Sequence, residues 1–247
     1  MIKVISVGLV DEEFKHYVED VAREFYEKAG GEPELLEIYV YSTSVRKRAF
    51  MLMEMELLGI QVLGDFMVMH EAWRGWPRIH VDYEQCRDLD RKIIKALLLH
   101  ELAHSKLHGS PYYYMLSLDN SLLDKYGFKA PLLLYLASIT VKDLEVIELL
   151  LNLGYVEDVR VYAELLTRDI AGIECIDLED VLELSKLIAP HIATGTSIDP
   201  RLLKPSCLSK LRALENILRE VLNSNESLEG KIRILIGGIE RMIELEL

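Results

Sequence analysis

The 247-residue sequence is poor in cysteine, in glutamine and in clustered positive charge. Its three cysteines (Cys86, Cys175 and Cys207) are odd in number and lack Cys-x-x-Cys spacing. Neither a disulfide framework nor a thiolate zinc site is therefore predicted, and a reducing cytoplasm is the expected location. Glutamine occurs only as Gln61 and Gln85, which mildly favours a thermophilic source.

The charge balance and the short apolar runs exclude two classes of partner. The formal net charge is −13, and Arg46-Lys47-Arg48 is the only basic cluster of note. This composition argues against binding to nucleic acids or to anionic membrane surfaces, whereas a peptide or protein substrate stays compatible with it. The longest apolar run, 130–141, is too short to span a bilayer.

One stretch carries a chemical pattern. The run Leu97-Leu98-Leu99-His100-Glu101-Leu102-Ala103-His104 contains His-Glu-x-x-His within an apolar, helix-forming context. On a helix, His100 and His104 lie one turn apart on the same face, so both imidazoles can bind one zinc ion (Zn²⁺). Glu101 points about 100° away around the helix, where it can act as the general base towards a water.

The residues around the motif predict an α+β fold. Strands are predicted over 2–9, 35–41, 60–69 and 78–83, and helices over 11–29, 45–58 and the motif stretch. The methionines of the second helix are expected to fill the core. After Gly109 the patterns are helical, over 116–126, 131–153, 156–171, 178–189, 200–223 and 227–247. We therefore expect an α/β lobe with a small mixed sheet over 1–109 and an all-helical lobe over 110–247.

A zinc site needs a third protein ligand, which we expect from the helical lobe. His108 lies too far along the motif helix from His100 and is expected to contact the last helix carbonyls instead. Within the apolar run 131–153, Glu145 is the preferred ligand. Asp143 is either the competing ligand or a partner that orients a histidine. The solvent-exposed stripe of that helix is the alternative explanation for both acids.

The stretch Leu99–Ser105, together with Lys142–Glu145, resembles the zincin metallopeptidases. Its spacing is most similar to the gluzincin branch, whose third ligand is a glutamate on a later helix, and to archaeal zincin-like proteins. Leu149 departs from that branch, which typically has an aspartate at this position. The resemblance implies that the strand before the motif helix, 78–83, is an edge that pairs with the substrate peptide. It also implies a donor to the oxyanion, for which we consider Tyr112, Tyr113, Tyr114, Tyr155 and His80 and favour Tyr113.

These observations favour an intracellular zinc metallopeptidase that cleaves peptide bonds. One alternative is a non-catalytic helical interaction protein built on a zincin core. Another is a metal-dependent amide hydrolase of a small molecule. The closing helix has a strong apolar face that either completes the core or forms a homodimer contact.

Overall fold

A computed structural model describes residues 1–60, 65–116 and 120–244. The chain divides into two compact units, Met1–Tyr114 and Met115–Leu247. The first unit contains a four-stranded mixed sheet with helices, and the described part of the second unit is helical. The predicted α+β fold is therefore confirmed.

The first unit alternates strands and helices as far as its second helix, after which two strands and a short helix precede the motif helix. Its elements are β1 (Ile2–Val7), α1 (Glu12–Lys28), β2 (Leu36–Tyr41), α2 (Ser44–Leu58), β3 (Val68–Glu71), β4 (Arg78–Asp82), α3 (Tyr83–Cys86) and α4 (Arg91–Leu107). A 3₁₀ turn over Pro111–Tyr114 ends the unit. The strand predicted over 60–69 is wrong in its bounds, because β3 begins at Val68; residues 61–64 lie outside the described part of the chain.

The sheet has the order β1-β2-β4-β3. β1, β2 and β4 are parallel, whereas β3 runs antiparallel to β4, with His70 opposite Ile79. The expectation that the strand over 78–83 forms an edge is therefore wrong. β4 lies between β2 and β3, and all five of its residues are buried. The edge strand next to it is β3, which packs against the motif helix α4.

One face of this sheet is polar although it is buried. Arg78, His80 and Asp82 alternate along β4 with Ile79 and Val81, so the two sets point to opposite faces. The polar set lies beneath α2, which reaches it with its own charged side chains. The unit therefore has an apolar layer on one side of the sheet and an ionic layer on the other.

The ionic layer is held together by paired charges. Arg78 contacts Glu54 of α2 at 2.7 Å and also binds the Glu71 carboxylate on β3. Lys47, only 1% exposed, binds Asp82 at 2.9 Å. Because charges buried this deeply are tolerated only when they are paired, the network ties α2 and β3 to β4.

Besides the short 3₁₀ helices Gly127–Lys129 and Pro200–Leu202, the described part of the second unit contains six α-helices. They are α5 (Asn120–Tyr126), α6 (Ala130–Asn152), α7 (Val156–Ile170), α8 (Leu178–Thr194), α9 (Pro205–Asn223) and α10 (Leu228–Glu244). The apolar face of α10, including Leu235 and Ile239, is buried within the unit, so the closing helix completes the core. Among the described residues, no helix combines the length and the hydrophobicity needed to traverse a bilayer.

The second unit also contains a disulfide bond. Cys175, in the segment between α7 and α8, is bonded to Cys207 in the first turn of α9. The prediction that the cysteines form no disulfide is therefore wrong. Cys86 is a free thiol, buried in the first unit.

Candidate metal centre

Local contacts define where the motif helix, α4, begins and ends. Asp90 caps α4, because its carboxylate accepts a hydrogen bond from the Lys92 amide at 2.7 Å. After the last turn, Gly109 is required by space, since a Cβ atom there would lie 2.4 Å from the Ser105 carbonyl oxygen. Tyr26 of α1 hydrogen-bonds the Ser105 hydroxyl at 2.6 Å. These contacts fix the ends of α4 and hold it to α1.

His100 and His104 direct the same ring nitrogen towards each other. Their Nε2 atoms are 3.1 Å apart, and the ring planes are close to perpendicular. Two nitrogens bound to one tetrahedral zinc ion, each about 2.05 Å from it, would lie about 3.3 Å apart. The observed separation is therefore close to that of two ligands of a single ion. The donor set fits zinc, which binds imidazole nitrogen readily.

His108 contacts the opposite edge of the His104 ring. The two Nδ1 atoms are 3.0 Å apart, and His108 is only 1% exposed. The sequence-based expectation placed the His108 side chain near the last helix carbonyls, whereas its ring lies against His104. A partner at Nδ1 fixes the tautomer and the orientation of a histidine that uses Nε2 as a ligand. His108 is thus placed to orient His104.

Glu101 is anchored to the edge strand of the sheet. Its Oε2 accepts a hydrogen bond from the His70 amide at 2.8 Å. The His70 ring in turn lies parallel to the ring of His104, with centroids 6.1 Å apart. The carboxylate next to the histidine pair is therefore held at the edge of β3.

The three consecutive tyrosines after α4 occupy different environments. Tyr112 is 82% exposed, and Tyr113 packs edge-to-face on His108 with ring centroids 4.9 Å apart. The Tyr114 hydroxyl lies 3.1 Å from His70 Nδ1. Burial raises the pKa of Tyr114, and the charges of Glu71 and Glu101 raise it further, so this hydroxyl keeps its proton at neutral pH. Tyr113 thus packs against His108, whereas the Tyr114 hydroxyl lies next to His70.

The other two oxyanion candidates lie in different surroundings. His80 is fully buried in the ionic layer, where its Nδ1 meets the Tyr41 hydroxyl at 2.8 Å and its Nε2 meets Glu71 at 3.2 Å. Burial lowers the pKa of His80. Tyr155 is buried in the second unit, just before α7.

The two candidate acids of α6 differ in burial and in partners. The Glu145 carboxylate receives a hydrogen bond from Lys231 of α10 at 2.7 Å and is one quarter exposed. Asp143 is only 5% exposed. Its neighbour Lys142 is also buried, and burial lowers the pKa of Lys142 to about 8. Asp143 is thus the more deeply buried of the two acids, and a carboxylate is tolerated at such depth when cations or hydrogen-bond donors surround it.

A cleft of about 480 Å³ lies elsewhere in the second unit. It is lined by side chains of α5, α6 and α10, among them Leu122, Leu134 and Ile236. None of the candidate metal ligands lines it.

Comparison with known proteins leaves the site to be interpreted from its own chemistry. The chain matches no protein-family model, no curated protein and no solved structure.

His70 and Tyr114 were not singled out as a pair by sequence reasoning, because the hydrogen bond between them joins residues 44 positions apart. The only local feature of the sequence that could have pointed to His70 as a site residue is that it stands next to Glu71 at the end of a strand.

Proposed function

We propose that the chain is a zinc-dependent peptidase of the zincin type, in which His100 and His104 bind the metal ion. The observation that supports this most strongly is the 3.1 Å separation of their Nε2 atoms. A hydrolase of this type also needs a base beside the ligands and a surface that aligns the substrate. Glu101 and the edge strand β3 are the residues we assign to those two tasks.

We assign the third ligand to Asp143 rather than to Glu145. Two imidazole nitrogens and one carboxylate oxygen are a donor set suited to catalytic zinc. Glu145 is engaged by Lys231, and withdrawing it would leave that partly buried ammonium without its carboxylate. Both acids were sequence-based candidates, and the burial of Asp143 favours it.

The side chains of the site have separate roles in the proposed hydrolysis. When bound, zinc supplies Lewis acidity, polarising the scissile carbonyl and making a water acidic. Glu101 takes the proton from the attacking water and passes it to the leaving amine. The Tyr114 hydroxyl donates a hydrogen bond to the oxygen on which negative charge develops. His108 holds His104 in one orientation throughout.

A peptide is the substrate class that the sheet favours. β3 is an edge strand of four residues; the His70 amide is bound by Glu101, so an extended chain would pair with the other outward-facing backbone groups of the strand. Hydrogen bonds to backbone groups place little demand on the sequence of the substrate, while side-chain contacts set preference. An amide hydrolase of a small molecule would not need such an edge.

Metal content and peptide cleavage test this proposal together. We expect one zinc per chain by elemental analysis of the wild-type protein, and cleavage of unstructured peptides detected by mass spectrometry. Glu101→Gln should keep the zinc and lose the cleavage. Asp143→Asn should lose zinc, whereas the matched variant Glu145→Gln should keep it.

Each result has a distinct meaning. A wild-type protein that binds no zinc after dialysis against the metal overturns the proposal. Zinc without cleavage in the wild type would instead favour a non-catalytic protein on a zincin core. Zinc lost in Glu145→Gln but kept in Asp143→Asn would return the third ligand to Glu145.

A further inference from the structure

Helix α2 has its polar and apolar faces inverted with respect to an ordinary surface helix. Its buried positions are Lys47, Met51 and Glu54. Its exposed large apolar side chains include Val45 (72% exposed), Leu52 (62%), Met53 (56%) and Leu57 (65%). The prediction that Met51, Met53 and Met55 all fill the core is therefore wrong, since only Met51 is buried.

The polar sheet face explains this inversion. Lys47 and Glu54 are seven residues apart, so they lie two turns apart on one side of the helix and meet Asp82 and Arg78 there. The apolar residues are consequently displaced to the opposite side. Contiguous exposed apolar surface is uncommon on monomeric proteins and marks an interaction site.

The exposed side has the spacing of a helix–helix seam. Val45, Ala49, Leu52 and Glu56 follow one another at intervals of four, three and four residues, and all four lie on the exposed side. Met53 and Leu57 flank this seam. A second helix could therefore pack along α2 over its full length of about 22 Å.

We propose that this face binds α2 of a second copy of the chain, in antiparallel orientation. Arg46 and Arg48 are exposed in the first half of the helix, and Glu56 is exposed in the last turn. A parallel pair would align like charges, whereas an antiparallel pair places Glu56 of each copy opposite the arginines of the other. Antiparallel packing of identical helices also has the two-fold symmetry that closes a dimer.

The charge of the whole chain supports the choice of this face. Two copies with a net charge of −13 each repel one another over most of their surface. The exposed side of α2 carries two positive charges, Arg46 and Arg48, the latter paired with Asp65 at 3.0 Å, so repulsion between copies is reduced there. Salt should screen the remaining repulsion and leave the apolar contact intact. This contact does not depend on the proposed zinc chemistry.

Sedimentation equilibrium of the full chain tests the dimer. We expect twice the chain mass of 28.4 kDa at micromolar concentration, with no loss of dimer at high salt. Leu52→Asp and, separately, Met53→Asp should give monomers with unchanged circular dichroism. The matched control is Phe128→Asp, an exposed apolar side chain (94%) in the other unit, which should stay dimeric.

A charge exchange tests the orientation of the two helices. Arg46→Glu and Glu56→Arg should each weaken the dimer about 2- to 5-fold, and the double variant should recover the wild-type affinity. A wild-type chain that is still monomeric at about 100 µM overturns the proposal, because a dimer with a weaker dissociation constant would scarcely form in solution. So does a dimer that survives both aspartate variants. A monomer that co-sediments with phosphatidylserine vesicles would assign the face to a membrane and also overturn it.

Discussion

The Glu101 carboxylate accepts a hydrogen bond from the backbone amide of His70, at 2.8 Å. This contact joins the motif helix to the edge strand through a group that the proposed reaction uses directly. Since β3 is held in turn by Glu71 and Arg78, the position of Glu101 depends on the buried ionic layer of the sheet. The proposed base and the proposed peptide-pairing edge are therefore parts of one rigid arrangement.

His108 should control the affinity of the site for zinc. Replacing it by phenylalanine keeps an aromatic ring of similar size but removes the nitrogen that faces His104 Nδ1. Loss of such a partner weakens metal binding about 10- to 100-fold. Competition with a chromophoric chelator measures this change. His16→Phe, at an exposed histidine, is the matched control and should bind zinc like the wild type.

Tyr114 should affect turnover and not metal content. Tyr114→Phe removes the hydroxyl next to His70, and loss of one donor to a developing oxyanion lowers kcat about 10²- to 10³-fold. Steady-state cleavage of a fluorogenic peptide measures the effect, with zinc content determined on the same sample. Tyr112→Phe, at an exposed position, should leave kcat unchanged. A larger loss in Tyr113→Phe would instead support the sequence-based choice of Tyr113.

The ionic layer should make the fold sensitive to acid. Hydrogen bonds from Arg74, opposed by burial and helped by Arg78, lower the pKa of Glu54 to about 2 from its usual 4.5. The ionised carboxylate therefore stabilises the fold above pH 4.5, and that stabilisation is lost as the pH falls through 2. A shift of this size corresponds to about 3 kcal/mol.

Urea unfolding between pH 2 and 5 measures this dependence. The unfolded chain binds more protons than the folded chain in this interval, so the free energy of unfolding should rise with pH. Glu54→Gln should be less stable at neutral pH, because it leaves Arg78 short of a charge, and its stability should rise less steeply with pH. Equal slopes for both proteins would show that Glu54 is not the group responsible.

The sequence was most informative where local pattern decides the structure. The bounds of α1 and β2 follow within one residue from apolar periodicity, which operates over a few residues. The motif pair His100 and His104 follows from helix geometry alone. These features therefore needed no knowledge of distant contacts.

The sequence-based predictions were weakest where the structure depends on contacts between residues far apart in the sequence. The resemblance to zincins implied that β4 is an edge strand, but β3 pairs with it on one side and α2 buries its polar face with Lys47 and Glu54. The proposed preference for Asp143 over Glu145, which stays a proposal, rests on the contact of Glu145 with Lys231, 86 residues away. Spacing alone could not pair Cys175 with Cys207, because pairing depends on how α7, α8 and α9 are packed.

The bond between Cys175 and Cys207 encloses the whole of α8 in a covalent ring. A backbone break between Gly195 and Lys204 would therefore leave the two pieces joined, and they would separate in electrophoresis only after reduction. Such a nick would cut the chain without releasing the helices that follow it. The second unit can thus be opened at one surface segment and still remain a single molecule.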